Sequence, residues 1–367
     1  MSVSDRSSKE NWPNEEGRSR PKLSRLDVPD KPTPVPLPIQ LPAFVTIQQE
    51  NGMEIRLEST NLIAEEVKGQ GAFATVEVMR QVPSSFRLAV KRVRATDVEE
   101  EMKRLRIEVD VMKRADSPFL VKFYGAMLRE GDVWIFMEIM DLSLHQFAAQ
   151  AQDLELCIPE KVLARVTRST LTGLNYMKTE LNMMHRDVKP SNVLLNSTGE
   201  IKLCDFGVSA SLRDSLQKTR LAGAQPYMGP ERIYGDGQDA YDWTSDVWSL
   251  GISLVELATG RHPYSKWVHC FQQLNEVVFG PSPSLPVEQF SCDFQDFVNK
   301  CLNKDPRKRP SYEQLLLHPW LLEADEPGVD QFITSVIDAY YHAEAAAEVP
   351  DDEECVQDYF RSSQELE

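Results

Sequence analysis

The sequence predicts an α+β fold of two lobes, in which a small strand-rich lobe precedes a larger helical one. Five apolar runs separated by turn residues predict strands between residues 62 and 140. A single helix interrupts them, and its apolar residues recur at a spacing of three or four: Met102, Leu105, Val109 and Met112. Beyond these strands helices dominate, with an amphipathic segment at 159–181 and an almost wholly apolar one at 245–260, which should be buried on most sides.

The charge and composition of the chain argue against some classes of binding partner. A net charge of −17 argues against nucleic acid or an anionic membrane as the main partner, because both select for a basic surface. The charge fits a basic protein partner, although solubility is the simpler explanation. No run of about 18 apolar residues occurs, and the first ten residues lack an apolar signal segment, so no membrane insertion is expected. The 6 cysteines include no C-x-x-C pair, which predicts reduced thiols inside the cell. The expected location is the cytoplasm, with the nucleus as a second compartment.

The two ends of the chain differ from its middle in amino-acid composition. Residues 1–60 are predicted to be a disordered tail, because the prolines between residues 29 and 42 exclude helix and sheet and favour an extended polyproline II segment. Within this tail, residues 18–28 combine basic and spaced aliphatic side chains, which suits either a docking peptide or an ordinary solvated tail. The folded domain is predicted at 61–322. A C-terminal extension at 323–367 ends in an acidic segment.

The strongest chemical signal is a pair of short motifs, HRDVKPSN and DFG, whose aspartates Asp187 and Asp205 lie 18 residues apart. Transfer of a phosphoryl group to a hydroxyl needs a carboxylate that orients the hydroxyl and accepts its proton. It also needs a positive charge on the phosphate and oxygen ligands for a metal ion. Asp187, Lys189 and Asn192 would supply these groups in one loop, and Asp205 would join Asn192 in holding Mg²⁺. Both motifs at this spacing are not expected by chance.

Weaker signals precede this pair. Gly69 and Gly71 follow the first predicted strand, where glycines let backbone amides approach phosphate oxygens. A hairpin turn needs glycine too, and Ala74 replaces a third glycine, but the strand that follows favours a loop folded over ATP. Lys91 lies in an apolar strand and would point into the lobe, where it needs phosphates and a carboxylate such as that of Glu108. The alternative for Lys91 is an ordinary surface lysine.

In the order and spacing of these motifs, residues from about 62 to 322 resemble the eukaryotic protein kinases. The resemblance implies the two-lobed protein-kinase fold, with ATP and Mg²⁺ as cofactors in the cleft. Asp246 matches the aspartate that braces the catalytic loop. Glu231, in Gly229-Pro-Glu, matches the A-P-E signature with glycine for alanine, and Arg309 matches its buried partner.

The resemblance also implies a nucleotide site. Val76, Ala89 and Leu194 would enclose the adenine, Met137 would be the gatekeeper, and the backbone of Glu138 and Met140 would form the hinge. Lys91, held by Glu108, would grip the α- and β-phosphates. The implied cofactor-binding residues are Lys68, Gly69, Gln70, Gly71, Val76, Ala89, Lys91, Glu108, Met137, Glu138, Met140 and Leu194.

A narrower resemblance lies in FYGAMLREGDVWIFMEIMDLSL, HRDVKPSNVLL and the segment 204–233. These are similar to the MAP kinase kinases, and most similar to their stress-responsive three and six subgroup. The resemblance implies phosphorylation of Thr and Tyr in the activation loop of a downstream MAP kinase. It also implies activation by an upstream MAP kinase kinase kinase at Ser215 and Thr219. Residues 18–28 would dock the MAP kinase, and residues 329–341 would form either an upstream-kinase docking helix or a capping helix.

Departures from the family pattern at Ala74, Ala224, Gln225 and Gly229 leave activity and substrate preference open. Ala224 stands where such kinases often have a threonine, whose hydroxyl can bridge the catalytic aspartate and lysine. Two alternatives therefore stay open. One is a kinase that acts on a Jun-kinase-class MAP kinase, and the other is a weakly active scaffold with a kinase fold.

Overall fold

The small lobe is built on a five-stranded antiparallel sheet in the order β3-β4-β5-β7-β6. The structure is a computed structural model that describes residues 41–48, 52–71, 74–94, 99–206, 227–234, 242–266 and 269–347, all within one structural unit, Pro38–Glu367. The strands are β3 (Leu62–Gln70), β4 (Ala74–Gln81), β5 (Arg87–Arg94), β6 (Phe123–Arg129) and β7 (Asp132–Met137). Helix α1 (Glu99–Met112) follows β5. The predicted strand-rich lobe is confirmed.

A two-stranded hairpin precedes this sheet, formed by β1 (Val45–Gln48) and β2 (Glu54–Leu57). Both strands alternate buried and exposed residues, which is the pattern of a strand with one covered face. Their buried side chains join the core cluster that contains Trp134 and Phe136. A β-carbon at Gly125 would collide with Val45, so the hairpin packs directly on the backbone of β6. The prediction that the tail extends to residue 60 is therefore wrong, because strands with alternating buried and exposed side chains begin at Val45, soon after Pro42.

The large lobe is helical. Its helices are α2 (Leu144–Asp153), α3 (Glu160–Thr179), α4 (Pro230–Tyr234), α5 (Thr244–Thr259), α6 (Cys270–Phe279), α7 (Cys292–Cys301), α8 (Tyr312–Leu316) and α9 (Val329–Ala347). Helix α5 is buried over nearly its whole length, as its apolar sequence predicts. In the described part of the chain, no helix combines the length and apolar character that crossing a membrane requires.

A small three-stranded sheet carries the catalytic motifs. Its strands are β8 (Leu142–Ser143), β9 (Val193–Leu195) and β10 (Ile201–Leu203), in the order β10-β9-β8. The HRDVKPSN motif ends where β9 begins, and Asp205 lies two residues after β10. Because β9 and β10 pair antiparallel, the two motifs are brought side by side at one end of this hairpin.

The predicted extensions are only partly described. Residues 329–341 lie in helix α9, whose buried residues Val329, Ile333, Val336 and Ile337 form one covered face. The predicted docking peptide at 18–28 and the acidic end of the chain lie outside the described residues. Ser215, Thr219 and Ala224 lie outside them too.

Candidate active site

The catalytic loop brings three predicted residues together around one carboxylate. Lys189 Nζ lies 2.7 Å from Asp187 Oδ2, and Asn192 Nδ2 donates to the same oxygen at 2.9 Å. The amide of Asn192 also donates to the backbone carbonyl of Asp187 at 2.7 Å, which closes the loop on itself. Burial by itself would raise the pKa of Asp187, but the charge of Lys189 and these hydrogen bonds lower it below the ordinary range. Asp187 is therefore an ionised carboxylate at neutral pH and can act as a base.

A buried aspartate in α5 binds the backbone of the catalytic loop. Asp246, in the first turn of α5, accepts hydrogen bonds from the backbone N–H groups of His185 at 3.0 Å and Arg186 at 2.8 Å. Arg186 has φ of 69°, a left-handed conformation that costs a non-glycine residue energy and that these bonds help to maintain. The structure thus gives Asp246 the bracing contacts that the family resemblance implied.

The second motif is tied to the first through the backbone. Cys204 N–H donates to the carbonyl of Asn192 at 3.0 Å, and the His185 ring nitrogen Nε2 lies 2.9 Å from the carbonyl oxygen of Cys204. These contacts place Asp205, the next residue, beside Asn192. Since the side-chain amide nitrogen of Asn192 donates to Asp187, its side-chain oxygen Oδ1 is the atom that could bind a metal ion together with the Asp205 carboxylate.

Lys91 has a different partner from the one predicted. Its Nζ donates to Asp205 Oδ1 at 2.6 Å, whereas Glu108 lies outside ion-pair distance and its Oε1 has no hydrogen-bond partner among the described residues. Burial by itself would lower the pKa of Lys91, but the carboxylates of Asp205 and Glu108 outweigh it and raise the pKa. The prediction that Glu108 holds Lys91 is therefore wrong for this arrangement, because the nearer Asp205 takes the ammonium.

The predicted adenine wall follows from the sheet register. Val76 lies opposite Lys91, and Ala89 lies opposite Met137, at the end of β7. The hinge after Met137 begins with Glu138, whose carboxylate is engaged with Lys202 at 2.8 Å and with the backbone N–H of Lys122 at 2.6 Å. The backbone N–H of Glu138 donates to the Lys122 carbonyl at 3.0 Å, so the group of this residue that could serve a nucleotide is its backbone carbonyl.

The remaining hinge and floor residues come from opposite lobes. Met140 is buried at the end of the hinge, and Leu194 lies in β9 of the large lobe, paired with Ser143. The hinge therefore connects the small-lobe sheet, which carries Val76 and Ala89, to the large-lobe sheet, which carries Leu194. This arrangement fits a flat heterocycle held between the lobes.

The glycine loop closes with one backbone bond, from Gly71 N–H to the Ala74 carbonyl at 2.8 Å. Gly69 and Gln70 end strand β3, directly before this turn. The side chain of Lys68 has a role outside the phosphate site, because its Nζ pairs with Glu66 at 2.6 Å and lies 5.3 Å from the centre of the Tyr341 ring. These contacts connect the strand before the glycine loop to α9.

A buried ion pair joins α4 to the base of the large lobe. Arg309 donates to both carboxylate oxygens of Glu231, at 2.8 and 2.7 Å, and its side chain is 0% exposed. A β-carbon at Gly229 would collide with the Glu231 carboxylate in its present position, so the alanine of the family signature would require that flexible side chain to shift. The implied Glu231–Arg309 pair is present in the structure.

Comparison with known proteins decides the family. Residues 63–321 match the protein-family profile described as Protein kinase domain. The chain is also 43% identical over 318 residues to the dual specificity mitogen-activated protein kinase kinase sek-1 of Caenorhabditis elegans, covering 84% of this chain and 94% of that relative. The chain belongs to the MAP kinase kinase family of protein kinases. The predicted resemblances to the protein kinases and to the MAP kinase kinases are confirmed, and this kinase has the two-lobed fold and the enzyme class that they implied.

Two other relatives have lower coverage. MAP kinase kinase mkk-4 of Caenorhabditis elegans is 43% identical over 254 residues, covering 67% of this chain and 69% of mkk-4. Protein kinase wis1 of Schizosaccharomyces pombe is 41% identical over 288 residues, covering 76% of this chain. The alignment spans 46% of wis1, so this kinase corresponds to less than half of that relative.

The residues of the cleft fit ATP and a divalent metal, which protein kinases use. The oxygen set of Asn192 and Asp205 is the kind that hard divalent cations prefer. Lys91 supplies a buried cation in the same cleft, and the buried Oε1 of Glu108 has no partner among the described residues. If Asp205 holds a metal ion, Lys91 needs another carboxylate, and Glu108 is the buried one available.

This exchange of partners leads to a prediction for Glu108→Gln. We expect kcat of the activated kinase to fall about tenfold or more, because Lys91 loses its alternative carboxylate. Stability at neutral pH should be unchanged or higher, since burial, above all, raises the pKa of Glu108 above its ordinary value of 4.5. The ionised form therefore costs stability as pH rises above 4.5, and the variant lacks that cost. Steady-state kinetics and thermal unfolding between pH 4 and 8 measure both effects.

Asp110→Asn is the matched control for this prediction, because Asp110 is an exposed carboxylate on the same helix. Both its kcat and its melting temperature should match those of the wild type. A Glu108→Gln protein with wild-type kcat would contradict the exchange of partners.

Sequence reasoning missed one part of the site. Asp141, directly after the hinge, accepts hydrogen bonds from the Ser197 backbone N–H at 2.7 Å and from the Tyr341 hydroxyl at 2.8 Å. No motif includes Tyr341, which lies 200 residues away in the chain. The one sequence signal for this contact was that Tyr341 lies at the end of the predicted segment 329–341.

Proposed function

We propose that this kinase phosphorylates Thr and Tyr in the activation loop of a stress-activated MAP kinase. The observation that carries the proposal is the similarity to sek-1, a protein named as a dual specificity MAP kinase kinase, over 94% of that relative's length. The catalytic loop supports it, because Asp187, Lys189 and Asn192 form one hydrogen-bonded group. The resemblance to the stress-responsive three and six subgroup supports the finer choice of substrate.

In the proposed mechanism the protein acts mainly by positioning and by charge. Asp187 orients the substrate hydroxyl and accepts its proton, while Lys189 stabilises charge on the transferred group. Lys91 would bind the phosphates of ATP, and Asn192 and Asp205 would hold Mg²⁺. When bound, the nucleotide and the metal ion would supply the phosphoryl group and positive charge beside its phosphates.

The deciding experiment is a substrate panel. A Ser215→Glu/Thr219→Glu protein would be incubated with ATP and purified, kinase-dead MAP kinases of each class, and the phosphosites would be mapped by mass spectrometry. The proposal expects paired Thr and Tyr phosphorylation in the activation loop of a stress-activated class, absent when Asp187→Asn is added. Phosphorylation confined to the Jun-kinase class would favour the first alternative target. No phosphorylation of any member would favour a weakly active scaffold.

Two kinds of partner follow from the proposal. A downstream MAP kinase would bind the docking peptide at 18–28, and an upstream MAP kinase kinase kinase would bind residues 329–341. In support of the second site, the exposed side of α9, opposite the buried Ile333, presents Gln331, Ser335 and Asp338. We also propose a cytoplasmic location with access to the nucleus, which microscopy of the tagged chain would test.

Regulation by phosphorylation provides a further prediction. We expect the Ser215→Ala/Thr219→Ala protein to fold normally but to gain no activity when an upstream kinase is added. A phosphate brings about two negative charges, which could hold the activation segment against basic groups such as Arg186. Phosphate incorporation and kinase activity before and after incubation measure the effect. Full activation of the double alanine variant would place the regulatory sites elsewhere.

A further inference from the structure

The residue after the hinge, Asp141, is bound by Tyr341, which belongs to no recognised motif. Asp141 directly follows the hinge, and its two carboxylate oxygens bind different elements of the large lobe. Oδ2 accepts from the backbone N–H of Ser197, in the turn between β9 and β10, at 2.7 Å. Oδ1 accepts from the hydroxyl of Tyr341, on α9, at 2.8 Å. A hydrogen bond to an ionised carboxylate is among the stronger ones in proteins, so this junction fixes the end of the hinge.

The same tyrosine also contacts the small lobe. The ammonium of Lys68 lies 5.3 Å from the centre of the Tyr341 ring, within the range of a cation–π contact. The Lys68 side chain is 15% exposed, and its Nζ pairs with Glu66 at 2.6 Å. Lys68 directly precedes Gly69, so the contact is made at the strand that leads into the glycine loop. Tyr341 therefore contacts the strand above the nucleotide cleft and the hinge behind it.

Helix α9 holds Tyr341 in place. Its buried residues Ile333 and Ile337 are 0% exposed. The ring of Phe332 packs edge-on against Phe147 of α2, with ring centres 6.2 Å apart, and the Thr334 hydroxyl donates to the carbonyl of Ser197 at 3.2 Å. The helix is thus docked on the large lobe one turn or more before Tyr341. A tyrosine on a docked helix can transmit the position of the large lobe to the small lobe.

The tyrosine is suited to a donor role at this place. Burial, followed by the hydrogen bond to Asp141, raises the pKa of Tyr341, so the hydroxyl stays protonated throughout the physiological range. The contact with Lys68 needs only the ring, whereas the contact with Asp141 needs the hydroxyl. The two contacts can therefore be removed separately.

We propose that Tyr341 is a positioning residue for ATP, which sets the spacing between the glycine-loop strand and the hinge. The physical reason is that the nucleotide is held between these two elements, and a cleft whose walls are already spaced loses less conformational entropy on binding. The inference depends on nucleotide binding by the kinase family and is independent of the protein substrate.

The test is the equilibrium dissociation constant for ATP with Mg²⁺, measured by calorimetry on the full, unphosphorylated chain. Tyr341→Ala, which removes both contacts, should weaken binding about five- to tenfold, and Tyr341→Phe, which removes only the hydroxyl, should weaken it about two- to threefold. If the alanine variant fails to fold, the phenylalanine variant alone decides the question.

The neighbouring Tyr340→Phe is the matched control. The hydroxyl of Tyr340 bonds to Glu344 within α9 at 2.7 Å, so its loss should leave the dissociation constant for ATP unchanged. A double-mutant cycle of Tyr341→Phe with Asp141→Ala should be non-additive, since both substitutions remove the hydrogen bond between Tyr341 and Asp141. A lower melting temperature with unchanged ATP affinity in the Tyr341 variants would overturn the proposal. So would an equal loss of affinity in Tyr340→Phe.

Discussion

Asp187→Asn is expected to lower kcat by about 10²–10⁴-fold or more, while the melting temperature changes little. Asparagine has nearly the same shape and keeps an oxygen that can accept from Asn192 Nδ2, so the loop can keep its form. The substitution removes the negative charge of the Asp187 carboxylate, whose pKa is lowered by Lys189 at a distance of 2.7 Å. The substrate hydroxyl would then lack both its base and its orienting group.

Steady-state kinetics of the activated protein, together with thermal unfolding, would measure this effect. Asp153→Asn is a suitable control, because Asp153 is an exposed carboxylate at the end of α2 and should show wild-type values. If Asp187→Asn kept the wild-type kcat at an unchanged melting temperature, Asp187 would not be the base.

Arg309→Ala is expected to lower the free energy of unfolding by about 3–5 kcal/mol, because it leaves the carboxylate of Glu231 buried without its cation. Burial by itself would raise the pKa of Glu231, but the two bonds from Arg309 lower it below its ordinary value of 4.5. A carboxylate with a lowered folded pKa stabilises the protein above the unfolded pKa, and this contribution is lost as pH falls through the folded value. The difference between wild type and variant should therefore be full at neutral pH and shrink below pH 4.5.

The chain provides a close control for this experiment. Arg307 also donates two hydrogen bonds to a carboxylate, that of Asp305, but its side chain is 87% exposed. Exposed ion pairs contribute little to stability, so Arg307→Ala should leave the melting temperature nearly unchanged. Denaturant titrations of both variants at pH 4 and pH 7 would compare them. Equal losses in the two variants would show that the burial of Arg309 is not what makes its pair important.

The fold class and the catalytic loop could be predicted from the sequence because they depend on short-range patterns. Period-two and helical spacing predict the strands β3 to β7 and the helices of the large lobe. Asp187, Lys189 and Asn192 lie within six residues of one another, so the loop that joins them also determines their distances. Sequence alone also predicts that Asp205 comes near Asn192, since only a short hairpin separates the two motifs.

The tertiary structure decided the contacts between residues far apart in the chain. Lys91 pairs with Asp205, 114 residues away, and leaves Oε1 of Glu108 without a hydrogen-bond partner among the described residues, an outcome that depends on how α1 packs against the sheet. The apolar face of the hairpin at 45–57 packs against the core cluster of the small lobe that contains Trp134 and Phe136, and the sequence of the hairpin does not specify this partner. Tyr341 reaches Asp141 because α9 docks across the large lobe. A local pattern can specify which face of an element is apolar, but the partner of that face is set by the packing of the whole domain.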